Sequence, residues 1–217
     1  MLDIASPVTV RRLMKSHNFR YRKSLGQNFL VDANIVSKIV QSAEVNKQDI
    51  VVEIGPGLGV LTRKISRQAG LVLAIEVDQK LLPILNETLV DKKNVQIINK
   101  DALKVDFKRL IAEHTNGLEL SLNPGFKVVA NLPYYITTPL LMHVLENNFK
   151  PNTMVVMVQD EVARRMVSGP GKKDYGALSV AIQFYTIPEL VCKVSRHVFI
   201  PKPEVGSAVV KLTLRDS

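Results

Sequence analysis

Asn131, Pro133 and Tyr134 lie in "VVANLPYYITTPLL", where a run of β-forming residues stops at an amide, a fixed turn and two adjacent aromatic rings. Those types in that order suit one chemistry. An exocyclic amine on a nucleobase is a poor nucleophile, because its lone pair is delocalised into the ring. Acceptors placed on its hydrogens help it rehybridise and attack. The side-chain oxygen of Asn131 is one such acceptor, and the carbonyl of Leu132, directed by Pro133, is another. Tyr134 offers a flat face to a base removed from its stack. Base–aromatic stacking contributes about 1–3 kcal/mol. No strong base is required, since the amine loses its proton after methylation makes it acidic. In isolation the same residues also read as an ordinary Asn-x-Pro turn followed by a half-buried tyrosine.

A second group points to the other reactant. In "EIGPGLG", Gly55, Gly57 and Gly59 permit a tight turn and close backbone approach to a ligand. A dinucleotide fingerprint needs glycine where Val60 stands, so a pyrophosphate on the helix N-terminus is disfavoured. Glu76 ends the next apolar run, 21 residues after Gly55, where a carboxylate can accept from both ribose hydroxyls. Asp101 ends the run after that and either accepts from an adenine amino group or caps a helix. The ligand that fits is an adenine nucleoside without a demanding phosphate, S-adenosylmethionine rather than NAD.

These residues need a scaffold that brings strand ends together. "IVVEIG", "LVLAIEV", "VQIIN", "FKVVANL" and "TMVVMVQ" read as strands, each followed by a helical stretch: "VLTRKISRQ", "DQKLLPILNETL", "FKRLIAEH", "TPLLMHVLENN" and "DEVARRMV". Near-continuous apolar strands alternating with helices imply a parallel sheet covered on both faces. Ligands bind such sheets at the carboxyl ends of the strands. After a helix around "GALSVAIQFY", "ELVCKVS" and "SAVVKLTL" follow with only the loop "RHVFIPKPEVG" between them, so they should pair antiparallel. Ser6-Pro7 opens a first helix ending near His17, and Asp32 caps a second with Ile35, Val36, Ile39 and Val40 on one stripe.

Composition narrows the setting. The 217 residues are 46% hydrophobic and 23% charged, enough for one sizeable core. No apolar run reaches the ~18–20 residues of a membrane span, and no signal-peptide pattern opens the chain. Cys192 is the single cysteine, which excludes an internal disulfide and fits a reducing, cytoplasmic setting. The four histidines lack metal-ligand spacing, so no metal is expected. Net charge is +9, and residues 1–30 carry Arg11, Arg12, Lys15, Arg20, Arg22 and Lys23 against Asp3 alone. Clustered basic charge attracts polyanions, and Phe19 and Tyr21 interleave with it as in nucleic-acid surfaces. A solubilising tail is the plain alternative.

"KSLGQNFLVD", "VEIGPGLGVLT", "AIEVDQKLLPIL", "VVANLPYYITTPLL" and "VFIPKPEVGSAVV" together resemble the bacterial small-subunit ribosomal RNA adenine dimethyltransferases, in order from about Lys23 to the last residue. The resemblance implies a Rossmann-like class I S-adenosylmethionine-dependent α/β fold, with a mostly parallel seven-stranded sheet and an antiparallel last strand. It implies dimethylation at N6 of two adjacent adenines near the 3′ end of 16S rRNA, in an immature small subunit, by a monomer that leaves S-adenosylhomocysteine. By the same likeness Asn28, Leu30, Gly55, Glu76, Asp101 and Asn131 bind S-adenosylmethionine, with Gly57, Val77 and Ala102 beside them. Tyr134 and Phe199 sandwich the target base. The expected organisation is a basic extension over 1–30 and a catalytic domain over 31–217. The expected organisation lacks the small helical domain that usually follows in the family.

Two rivals remain at this point. The related large-subunit adenine methyltransferases tend to read Asn-Ile-Pro-Tyr-Asn where this chain has Tyr135 and "ITTP". A non-catalytic RNA-binding assembly factor could keep the sheet, although the chain retains Glu76, Asn131 and Tyr134. Replacing Arg20, Arg22 and Lys23 together by glutamine should flatten the salt dependence of RNA binding. The log–log slope should fall by about 0.7 per lost phosphate contact, the single-strand value. An unchanged slope would mean the three residues only solubilise.

Overall fold

The computed structural model describes residues 4–115, 125–147 and 149–215. Among them the strands are β1 (Phe29–Leu30), β2 (Ile50–Ile54), β3 (Leu71–Glu76), β4 (Val95–Asn99), β5 (Lys127–Asn131), β6 (Thr153–Gln159), β7 (Thr186–Val194), β8 (Phe199–Ile200) and β9 (Ser207–Leu214). The helices are α1 (Pro7–Ser16), α2 (Ala33–Ser42), α3 (Val60–Ile65), α4 (Leu82–Thr88), α5 (Phe107–Thr115), α6 (Thr137–Leu145), α7 (Asp160–Val167) and α8 (Ala177–Tyr185).

Seven strands form one sheet in the order β4-β3-β2-β5-β6-β9-β7. The five from β4 to β6 are parallel. β9, the last in the chain, inserts antiparallel to both β6 and β7. β2 and β3 are buried along their whole length, which explains why they read as unbroken apolar runs. The chain moves from β2 outward to β3 and β4, then returns to β5 on the other side of β2. That reversal opens a crevice above the carboxyl ends of the central strands.

Local signals explain most element boundaries. Asp32 Oδ1 accepts from the N–H groups of Asn34 at 2.8 Å and Ile35 at 2.9 Å, so the expected cap of α2 is made. Val36, Ile39 and Val40 are its buried stripe. Ser6 occupies the N-cap position of α1 but its side chain makes no cap bond there. "DQKLLPILNETL" divides into a 3-10 turn over Gln79–Leu81 and α4, with Pro83 confined to the first turn of the α-helix, where no N–H is missed. α6 stops at Leu145, and Asn148, the last residue of the expected helix, lies outside the described residues.

Two features differ from expectation. "RHVFIPKPEVG" is not only a loop: it carries β8, which pairs antiparallel with β1, Phe29 opposite Ile200 and Leu30 opposite Phe199. Phe19 is not on a nucleic-acid surface: it is 6% exposed, with its ring centroid 6.0 Å from that of Phe29. It belongs to a buried cluster in which Ile4, Val10 and Leu13 join Leu58, Leu81, Ile84, Leu85 and Leu89. His17, just past α1, adds a polar tie, with Nε2 2.6 Å from Glu87 Oε2. No helix among the described residues is long and apolar enough to cross a membrane.

Leu13→Ala tests whether this N-terminal packing contributes to stability. Leu13 is 1% exposed, so truncation should destabilise by about 2–4 kcal/mol in urea unfolding. A change below about 0.5 kcal/mol would show that α1 hardly contributes.

Candidate active site

The crevice deepens into a cavity of about 370 Å³, a size that suits a small-molecule ligand. Its wall is made where strands end. β2 leads into the glycine turn, β3 into Glu76 and Val77, β4 into Lys100 to Leu103, and β5 into Asn131 to Ile136. The other wall is the segment Leu25 to Leu30 from the N-terminal region.

Gly55 and Gly57 adopt φ of 71° and 59°, the left-handed region that glycine enters without strain. A Cβ on Gly57 would come 3.0 Å from the Phe29 ring, so the turn and the N-terminal wall can close together only over a bare backbone. Gly55 donates its N–H to the Ile75 carbonyl at 3.0 Å, which spends that amide on the sheet rather than on a ligand.

Two carboxyl groups face this cavity from buried positions. Glu76 is 5% exposed, and its Oε1 accepts from the Asp78 N–H at 2.8 Å. Burial pushes its pKa up to about 7, against the opposing pull of that N–H. Glu53, inside the apolar β2, is 1% exposed, with Thr62 beside it as the group whose hydrogen bonding opposes a rise in its pKa. Burial drives the Glu53 pKa up to about 8, and the Glu76 carboxyl adds to the rise. Sequence reading missed Glu53. Its one signal was a charged residue inside a run otherwise made of Ile and Val.

Asp101 Oδ1 accepts from the Leu103 N–H at 3.0 Å and caps a one-turn 3-10 helix over Ala102–Lys104. The capping alternative is therefore realised, and the residue also lines the cavity. Asn131 lies at the last position of β5. Its Nδ2 donates to the Asn28 carbonyl at 3.1 Å. A carbonyl can only accept, so the amide nitrogen must face Asn28, and Oδ1 is the end left for another partner. Asn28 is itself braced, its Nδ2 donating to the Gly26 carbonyl at 3.0 Å.

Pro133 holds the turn after β5. Its carbonyl accepts from the Ile136 N–H at 3.2 Å and from the Thr137 hydroxyl at 3.0 Å. Tyr134 follows, half-buried, with its hydroxyl 2.8 Å from Ser207 Oγ. Burial raises its pKa, with the Ser207 hydrogen bond opposing.

The structure thus gathers Asn28, Leu30, Gly55, Gly57, Glu76, Val77, Asp101, Ala102, Asn131, Leu132, Pro133 and Tyr134 around one cavity. Phe199 is the exception. It is 3% exposed, packed in a cluster with Leu30, Val36 and Val194, and does not line the cavity. Arg20 and Arg22 are exposed, outside the cavity. The Arg22 guanidinium comes within 3.8 Å of Asp78 Oδ1, so part of its charge is directed inward. Lys23 opens a 3-10 turn that ends at Leu25. Gln27 and Tyr135 were also not anticipated as lining residues. Gln27 accepts from the Arg22 N–H at 2.7 Å and donates to Asp78 Oδ2 at 2.8 Å, latching the N-terminal wall to the end of β3. Among the described residues no His, Cys, Asp and Glu cluster is arranged to hold a metal.

Comparison with known proteins agrees with this geometry. The family described as Ribosomal RNA adenine dimethylase matches residues 18–217. The Ribosomal RNA small subunit methyltransferase A of Moorella thermoacetica is 55% identical over 99% of this chain and 74% of its own length. Among solved structures, a dimethyladenosine transferase from Plasmodium falciparum superposes with a TM-score of 0.74 at 29% identity, over 86% of this chain and 63% of that one. The 23S rRNA methyltransferase ErmE matches with a TM-score of 0.74 at 30% identity, over 88% of this chain and 71% of that one.

The buried carboxyls make stability depend on pH in an unusual direction. Glu53 and Glu76 hold protons in the folded state up to about 8 and about 7, whereas unfolded they release them near 4.5. The folded state therefore binds more protons across that interval, and stability falls as pH rises through it. Glu53→Gln removes one such group. Its melting temperature should drop less than that of the wild type between pH 5 and pH 9, and an equal drop would contradict the burial argument.

Proposed function

The chain belongs to the ribosomal RNA adenine dimethylase family, and we propose that it converts two adjacent adenines near the 3′ end of 16S rRNA to N6,N6-dimethyladenine, using S-adenosylmethionine. The observation that carries the chemistry is the Asn131 amide. Its nitrogen is held by the Asn28 carbonyl, which presents Oδ1 at the mouth of the same cavity that Glu76 lines. An acceptor held in place before the substrate arrives needs no reorganisation when the amine attacks.

The residues fit the cofactor. Glu76 stands ready to accept from ribose hydroxyls, and Asp101 to accept from an adenine amine. Glu53 adds a second buried carboxyl to the cavity wall. When bound, S-adenosylmethionine supplies an electrophilic methyl on a sulfonium, with S-adenosylhomocysteine as the product. The protein's part is to hold and polarise the amine through Asn131 Oδ1 and the Leu132 carbonyl, and to stack the flipped base on Tyr134. The basic residues of 1–30 would hold RNA phosphates while the base is out of its stack, offsetting a flipping cost of a few kcal/mol. No metal role is proposed. We place the enzyme in the cytoplasm, acting as a monomer on an immature small subunit. The lone cysteine favours the reducing compartment.

The fold does not separate the two readings, since a dimethyladenosine transferase and a 23S rRNA methyltransferase superpose equally well. Identity of 55% to a small-subunit enzyme and Tyr135 at the cavity favour the 16S substrate. Labelled S-adenosylmethionine offered with immature small subunits and with large subunits tests the choice. Label should enter small-subunit RNA as dimethyladenine. In that assay Asn131→Ala should slow single-turnover methylation by about 10²–10³-fold, as when one preorganised polar group is removed. Label in large-subunit RNA alone, or a normal rate in the variant, would overturn the substrate or the residue role respectively.

A further inference from the structure

β9 is the one strand in the described sheet whose two neighbours both run against it. Parallel strands bring their carboxyl ends to the catalytic edge, whereas β9 brings its first residue. That residue is Ser207, 2% exposed and paired with Gln159 on one side and Val194 on the other. Strands on both sides fix the Ser207 backbone, so its hydroxyl has a defined position. It lies 2.8 Å from the Tyr134 hydroxyl.

Tyr134 depends on such an anchor. Its backbone belongs to a short 3-10 turn over Tyr134–Ile136, locked by the bonds that Pro133 accepts. The remaining freedom is rotation of the side chain, and the ring is only half-buried. A phenol tied at its far end cannot swing without breaking that tie. We propose that Ser207 is a positioning residue for methyl transfer: through its hydroxyl it sets the tilt of the Tyr134 ring against which the target base stacks. The inference rests on the reading of Tyr134 as the base platform. Ser207 touches neither reactant in this scheme and acts only through the tyrosine.

The test is a double-mutant cycle on single-turnover methylation at saturating RNA and cofactor. Cofactor affinity and melting temperature are measured alongside, because a merely structural role would move them. Ser207→Ala should slow the step by about fivefold to tenfold, the worth of one hydrogen bond, with cofactor affinity unchanged. Tyr134→Phe removes the same bond from the other side and should slow it similarly. The double variant should be no slower than either single one, and Ser207→Thr should restore most of the rate. A Ser207→Ala protein as fast as the wild type would overturn the proposal. So would equal slowing by Ser207→Ala in the Tyr134→Phe background, which would mean an effect not routed through the tyrosine. If Ser207→Ala fails to fold, a Tyr134→Phe enzyme at the wild-type rate overturns the proposal by itself. A wild type unable to methylate small-subunit RNA overturns the functional reading and the proposal together. An active wild type with additive single effects removes only the role of Ser207.

Discussion

A single hydrogen bond, from Asn131 Nδ2 to the Asn28 carbonyl, decides which end of an amide faces the cavity. Asparagine carries a donor and an acceptor on nearly identical arms, so its chemistry depends on which arm is restrained. The restraint comes from a segment more than a hundred residues earlier. That segment is held in turn by the β1–β8 pair, by the Gln27 latch to Asp78 and by the Phe29 ring seated over Gly57. The N-terminal region is therefore part of the site's architecture, and its buried face explains why basic residues there coexist with Ile4, Val10, Leu13 and Phe19.

The second organising feature is electrostatic. Two carboxyl groups, Glu53 and Glu76, are withdrawn from water on the two fully buried strands β2 and β3. A buried carboxyl without a counter-charge answers by holding its proton. The burial that raises the carboxyl pKa values keeps each group neutral to higher pH, and a donor arriving from outside would draw it back toward the ionised form.

Much of this was legible in the chain. Unbroken apolar runs declared a parallel sheet because buried strands have no polar face to alternate. Asp32 declared its helix, and the glycine turn and the amide–proline–tyrosine sequence declared strand ends. What stayed hidden depended on contacts between distant segments. β1 and β8 are two residues each, too short for any periodicity, and their pairing follows from tertiary packing alone. Phe19 stands among polar and basic residues and reads as exposed, and Phe199 was expected against the target base by resemblance, yet partners from elsewhere bury both. Ser207 is a small hydroxyl at the start of a strand, and nothing near it in the sequence points to a tyrosine 73 positions away.

The β1–β8 pair has a temporal consequence. Residue 29 meets residue 200 only after the 170 residues between them have been made and brought back, a closure costing on the order of 4 kcal/mol in chain entropy. During synthesis the central strands and the glycine turn can form early, from contacts nearby in the chain. The wall that orients Asn131 cannot be clamped until β8 has emerged.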